Sequence, residues 1–527
     1  MNMQVHNDHF YTYEELQELL FAARDAHPEL CKLTALDKTP GGRTIWSATL
    51  STAPTAEESA KRPAFYVQGG LHAEEGMGIT ASLAFLYTML EQESARKLLE
   101  TVTVYITPCI NPDGCNTCVT TGMDIRSMVE KLPEGTPNAL VAQDLDGDGK
   151  ILTMRWEDPT GAWKMAPGCG NLMVLRQPGD TEGPFYHVCT EGIVANYNGS
   201  GPVKPMRRLD MNRQFAGNWK DTREGGDYPG RHVETRAVME FLLTHPNIFA
   251  CFDIHCGTRA LIVDMTSNPS DNQAMREMMA LCKEITGIDP VAESNYGRAL
   301  DAAPTVLPGV FRGYAQDTFG LLGATVELGN GWNSVGYTAQ EIFEAPKGIM
   351  CEEMIARIMA LHEKHGSQIA APWVPYDHPQ LGRVEIGGHI HGNAYFMLAK
   401  DMLELIPKVT VFLQEIMQWH PRLDLVNVKA EPMGGDVVRV RADVINIGKL
   451  GTTVLKSATG YHARYPLYLT VSGADEILSG IAKPEFAGLE PLEYKQVEWF
   501  VRAKSGTELT VTATHPKAST SSVKVTV

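Results

Sequence analysis

Strand-like runs alternating with helical periodicity through the first two-thirds of the chain, then short alternating strands at its end, predict an α/β region followed by a β-sandwich. The first helix is expected over residues 13–26, where Leu16, Leu19, Leu20 and Ala23 recur at helical spacing and Pro28 lies just beyond. Residues 45–50, 64–68 and 102–106 read as strands, with a helix after Glu75. Helical periodicity returns at 231–243, 275–285, 347–362 and 397–419. From 115 to about 205, Gly, Pro and Asp are frequent and periodicity is poor, which marks an insertion. Residues 372–379 are proline-rich and read as a connector, and alternating strands such as 437–444 and 509–514 follow residue 423. The expected division is a catalytic region at 1–366, a connector and helix at 367–420, and a β-sandwich of about a hundred residues at 421–527.

A chain of 527 residues has ample length to bury a core. Its net charge of −17 argues against nucleic acid as a partner, because phosphate binding needs clustered Lys and Arg. No apolar run reaches the roughly 18 residues of a membrane span. The first eight residues lack the basic and apolar regions of a signal peptide, so a cytoplasmic protein is expected; an exported protein whose leader had been removed would read the same. All ten cysteines lie between Cys31 and Cys351 without disulfide-framework spacing, so buried free thiols are expected, and Cys115-x-x-Cys118 lacks the second pair that a metal or redox site would need. Oligomeric state is not encoded in any of these patterns.

The chemistry begins at Gly69-Gly70-Leu71-His72-Ala73-Glu74-Glu75-Gly76, directly after an apolar strand. An imidazole and a carboxylate three positions apart on a turn can close on one ion, and a catalytic zinc takes three protein ligands, so one more is required. Residues 249–257 read as a buried strand ending on His255, the natural third ligand, although a lone strand histidine is more often a core residue. Three further segments decide between these readings: Asn111-Pro112-Asp113-Gly114, Leu209-Asp210-Met211-Asn212-Arg213-Gln214-Phe215 and Thr325-Val326-Glu327-Leu328.

In this order the five segments resemble the zinc carboxypeptidase family of carboxypeptidase A type, over residues of about 10 to 365. The resemblance implies an α/β/α sandwich with a mixed central sheet and one catalytic zinc. His72, Glu75 and His255 match the zinc ligands, and Glu327 matches the general base toward the metal-bound water. Asn212 and Arg213 match the pair that holds a substrate's terminal carboxylate, a task suited to a guanidinium fork. Asp210 stands where the family places an acid behind the first zinc histidine. For the arginine that stabilises the oxyanion, Arg126 is the best candidate by position, with Arg155, Arg207 and Arg208 as alternatives.

The resemblance is incomplete. Glu74 stands where digestive relatives have an arginine lining an outer subsite, and residues 301–306 carry no tyrosine where those enzymes have a mobile one; Tyr314 is expected to pack beneath the site. The implied function is a zinc metallocarboxypeptidase acting on a peptide or amide with a free carboxylate. A zinc amidase acting on cell-wall peptides or N-acyl amino acids, and a non-catalytic peptide-binding protein, are the alternatives. Inside the insertion, Asp144, Asp146 and Asp148 at positions 1, 3 and 5, followed by Gly149 at position 6, repeat the first half of an EF-hand loop, a candidate structural calcium site, but Arg155 stands where the twelfth-position glutamate belongs.

Overall fold

The computed structural model describes residues 5–222, 225–292, 307–338, 341–342, 352–366, 369–390 and 398–527. Helix α1 (Tyr13–Ala26) opens on a capping box in which Thr12 and Glu15 bond reciprocally, which is why it starts there. The central strands are β1 (Cys31–Lys38), β2 (Thr44–Leu50), β3 (Ala64–Gly69) and β4 (Thr103–Thr107), with helix α2 (Gly76–Glu91) after β3 and α3 (Pro112–Thr121) after β4. A two-stranded ribbon pairs β5 (Met128–Glu130) with β6 (Arg207–Leu209). Then come α4 (Val233–Thr244), β7 (Ile248–His255), β8 (Arg259–Val263), α5 (Pro269–Thr286), β9 (Asp289–Ala292), α6 (Phe311–Phe319), β10 (Leu322–Leu328), α7 (Glu352–His365) and α8 (Ala399–Met417).

Eight strands form one mixed sheet in the order β1-β2-β4-β3-β7-β10-β8-β9. Strands β4, β3, β7 and β10 run parallel, while β1, β2 and β8 pair antiparallel with their neighbours toward the centre. The parallel strands are buried along their whole length, as strands covered on both faces must be. One face is covered by α2, α5 and α8 through Phe85, Met275 and Phe412, and the other by α4 and α6 through Phe241, Phe311 and Phe319. Helix α2 is apolar almost all round because α8 packs over it.

Two expectations are corrected. Residues 115–121 are not insertion but the body of α3, whose Cys115 and Cys118 are buried. Residues 370–378 and 382–389 are not a connector: they form a hairpin that pairs with 153–157, so the hairpin and the insertion share a six-stranded sheet. The expected helix at 347–362 is described only from Glu352, and Met397 and residues 301–306 lie outside the described residues.

Beyond residue 422 two four-stranded antiparallel sheets enclose Trp499, Val440, Leu469 and Leu509 in a separate core, the β-sandwich that the alternating pattern predicts. Among the described residues no helix is long and apolar enough to cross a membrane.

Candidate active site

The site lies at the carboxyl ends of β3, β7 and β10, where an α/β sheet leaves its loops free for chemistry. Backbone proximity builds it. A Cβ on Gly69 would lie 2.4 Å from the Gly78 carbonyl oxygen, and one on Gly78 would lie 2.4 Å from that of Ile254, so only glycines let β3, α2 and β7 pack main chain to main chain. Gly70, with φ +60°, then turns the chain and delivers His72 and Glu75 beside the end of β7.

His255 ends β7 and pairs in register with Glu327 on β10. The His72 Nδ1 is 2.8 Å from Glu75 Oε1, the His255 Nδ1 is 2.8 Å from Glu75 Oε2, and the two Nδ1 atoms are 3.0 Å apart. All three residues are buried. Their outer nitrogens are engaged: His72 Nε2 with Asp210 Oδ1 at 3.0 Å and His255 Nε2 with Asp253 Oδ2 at 2.6 Å. A carboxylate only accepts, so each Nε2 donates to its aspartate, and a dication that took the place of the proton at each Nδ1 would meet an inward lone pair from both rings. Two imidazole nitrogens and a carboxylate converge, an arrangement that a dication satisfies, and the three donor atoms lie within 4.8 Å of one another. The donor set suits zinc.

The buried charges of the cluster hold one another in place. Burial raises the Glu75 pKa, but His72, His255 and Arg126 outweigh it and hold it well below the carboxylate range. Burial lowers that of His255, and Asp253 and Glu75 outweigh it in the opposite sense. Asp210 is likewise held low against burial by His72 and Arg126. Glu327 differs: burial and then the Glu75 carboxylate push it up to about 7. Its Oε2 would lie 3.4 Å from a Cβ on Gly257, placing it beside the turn that follows His255.

Arg126 Nη1 donates to Glu75 Oε1 at 2.6 Å and its Nε lies 3.6 Å from Asp210 Oδ2. The other arginines are elsewhere. Arg155 is buried between Tyr186 and Trp373 with Glu385, Arg208 pairs with Asp124, and Arg207 faces Glu130 and Asp227. Asn212 Oδ1 accepts from Phe311 N at 2.8 Å, which leaves its Nδ2 as a donor. Arg213 Nη1 donates to the Asn212 carbonyl at 2.7 Å and lies 3.9 Å from Asp210 Oδ2. Asn111 caps α3 and donates to Ser127 O, and Ser127 Oγ accepts from Met211 N, so this motif fastens the ribbon ends that carry Arg126 and Asp210.

Glu74 is buried 3.4 Å from Arg126 Nη1 rather than lining an open subsite, and Tyr314 packs on Phe215 and Phe319 beneath the site. Cys115 donates to backbone carbonyls of Gly70 and His72, and the nine described cysteines are free. The acidic loop departs from its expected ligand set. Asp144 and Asp146 converge with Glu191, whereas Asp148 accepts from Lys150 N and stands outside the group. Glu191, fully buried, accepts from Leu145 N and Leu152 N and reaches the loop from the turn after strand 186–190.

Two residues escaped the sequence reading, Glu191 and Asp253. Asp253 had a readable signal: it sits two positions before His255 on a strand, hence on the same face. Its other oxygen accepts from Gln68 Nε2 at 2.9 Å.

Residues 16–136, which include His72, Glu75 and Arg126, match a described sequence family. That family is the zinc carboxypeptidases. Zinc is the metal that this family implies. Residues 422–526 match a domain of unknown function, DUF8731. Carboxypeptidase D from Anas platyrhynchos is 31% identical over 106 residues, 19% of this chain and 8% of that protein. A zinc carboxypeptidase from Saccharothrix mutabilis subsp. capreolus is 26% identical over 117 residues, 21% of this chain and 26% of that protein. The chain thus spans about a quarter or less of the length of these relatives. Among solved structures, thrombin activatable fibrinolysis inhibitor matches at 12% identity and TM-score 0.42, over 78% of this chain and 74% of that one. Carboxypeptidase A from Helicoverpa armigera matches at 16% identity and TM-score 0.40, over 62% and 68%.

Proposed function

We propose that the chain is a zinc metallocarboxypeptidase that hydrolyses the peptide bond next to a free C-terminal carboxylate. The observation that carries this reading is the convergence of both Nδ1 atoms with the Glu75 carboxylate, each imidazole fixed from behind by an aspartate. His72, Glu75 and His255 would hold the zinc, which when bound polarises a carbonyl and acidifies water. Glu327, with a pKa of about 7, is suited to take a proton from the attacking water and return it to the leaving amine nitrogen. Asn212 Nδ2 and the Arg213 guanidinium receive the substrate carboxylate, and Arg126 faces the oxygen on which negative charge develops. Residues 1–366 form the catalytic region in this reading and residues 421–527 an accessory domain.

Zinc analysis of the purified protein, combined with mass-spectrometric profiling of a peptide library with free C-termini, tests metal and reaction together. Stoichiometric zinc and release of C-terminal residues are expected. Cleavage at internal bonds alone, or no cleavage by the zinc-loaded protein, would overturn the reading.

We further propose that Asp144 and Asp146, joined by Glu191, bind calcium as a structural ion bracing the insertion. Three carboxylates around one small loop repel one another, and a hard dication relieves this. Calcium should raise the melting temperature, and Asp144→Ala with Asp146→Ala should abolish the rise while zinc content stays unchanged. No thermal shift on adding calcium to chelator-treated wild type would remove the proposal.

A further inference from the structure

Helix α6 (Phe311–Phe319) joins the C-terminal β-sandwich to the Asn212–Arg213 pair. At its N-terminal end Phe311 N donates to Asn212 Oδ1 at 2.8 Å and the Phe311 ring meets Phe215 edge-on at 5.3 Å. Just before it, Gly309 lies so close to Arg213 that a Cβ there would sit 2.2 Å from the Arg213 carbonyl oxygen. In the middle, Arg312 bonds Thr325 Oγ1 at 2.8 Å, two residues before Glu327 on β10. The C-terminal end meets the other domain. Gly460 N donates to Asp317 O at 3.1 Å, Leu455 N to Gly320 O at 3.3 Å, and the buried Lys517 Nζ to Phe319 O.

Carbonyls at a helix C-terminus have no partner within the helix and must find one elsewhere. Here the β-sandwich supplies those partners. Because the nine-residue helix is only about 13 Å long and packed along its length, a displacement at Phe319 is carried to Phe311 rather than absorbed. The Phe311 N–H is also what turns the Asn212 amide so that its Nδ2 faces outward.

We propose that the C-terminal β-sandwich positions the Asn212–Arg213 carboxylate clamp through helix α6, and so sets the affinity for a substrate's free carboxylate. The inference rests on the clamp role assigned above to those two residues and gives the accessory domain a function within the same reaction. Gly460, Leu455 and Lys517 are positioning residues in this scheme: none lies among the residues of the zinc cluster or the clamp.

Two variants of the intact, zinc-loaded protein loosen this contact in different ways. Gly460→Ala drives a Cβ to 2.2 Å from the Thr318 carbonyl oxygen, and Lys517→Met removes the donor to Phe319. Each should raise KM for a free-carboxylate peptide by about 5- to 20-fold while kcat stays within about threefold and zinc content is kept, the signature of lost binding without lost chemistry. Lys449→Ala breaks a contact of the same domain with Glu277 on α5 and should change neither constant. An unchanged KM in a folded α6-facing variant, or a fall in kcat as large as the rise in KM, would overturn the proposal.

A second measurement does not depend on the α6-facing variants folding. In Glu327→Gln, saturation with a free-carboxylate peptide should slow hydrogen exchange at the Leu455 and Gly460 amides, since coupling between two sites is reciprocal. Saturable binding without that protection removes the inference alone. Absence of saturable binding removes the clamp reading and the inference with it.

Discussion

Each imidazole in the His72–Glu75–His255 cluster owes its orientation to one aspartate, and the consequence is measurable. Asp253→Ala leaves His255 Nε2 without its acceptor and frees the ring to adopt the tautomer that cannot donate a lone pair inward. Removing such a partner should weaken zinc binding by about 10- to 100-fold, read in a competition titration with a chelator; unchanged affinity would mean that packing alone holds the ring. Glu327→Gln should do the opposite. Its amide cannot accept and pass on a proton, so turnover should fall by about two to four orders of magnitude with zinc retained. Activity within tenfold of wild type would place the base elsewhere. At this scale the sequence was informative because ligand chemistry is local: His72 and Glu75 share one turn, and Asp210 and Arg213 share another. Glu191 was hidden for the opposite reason, since it is distant from Asp144 along the chain and reaches it only because strand 186–190 pairs with 153–157.

Elements place these residues in two ways. Parallel strands β3, β7 and β10 end together and bring His72, His255 and Glu327 to one edge, while the β5–β6 ribbon carries Arg126 just before one strand and Asp210, Asn212 and Arg213 just after the other. The insertion therefore emerges from between Arg126 and the Asn212–Arg213 pair. Arg213→Ala should weaken free-carboxylate substrates by about 2 to 5 kcal/mol, the range for truncating one partner of a buried charge pair. Amidated analogues should lose less than twofold in kcat/KM, and equal losses on both would refute the assignment. Strands β2, β3, β4 and β7 were legible as apolar runs, to within a residue or two at their ends, whereas β1, β8, β9 and β10 were not read as strands. Nor was the hairpin at 370–389. Its outer strand contains Pro372 and Pro375, which argue against a strand, yet that strand lies at the edge of its sheet, where missing N–H groups cost little.

Across the whole molecule, the contact between the two cores buries a lysine that nothing in its local sequence marks. Lys517 stands in His515-Pro516-Lys517-Ala518, a pattern that reads as a surface turn, and only docking against Phe319, some two hundred positions earlier, removes it from water. Burial lowers its pKa from 10.5 to about 7. The sign of the resulting pH dependence follows from proton counts. Below about pH 7 the folded and unfolded chains both carry the proton, so the full cost of burying the charge opposes folding. Between about 7 and 10.5 the folded chain has released it while the unfolded chain retains it, so this lysine's contribution to the unfolding free energy rises with pH and levels off above 10.5. Other groups titrate in the same window, which makes the difference between wild type and Lys517→Met the informative quantity. Denaturant unfolding of both from pH 6.5 to 9 should give curves that diverge, with wild type gaining on the variant as pH rises. Parallel curves would mean that the ammonium group keeps its charge in the folded protein.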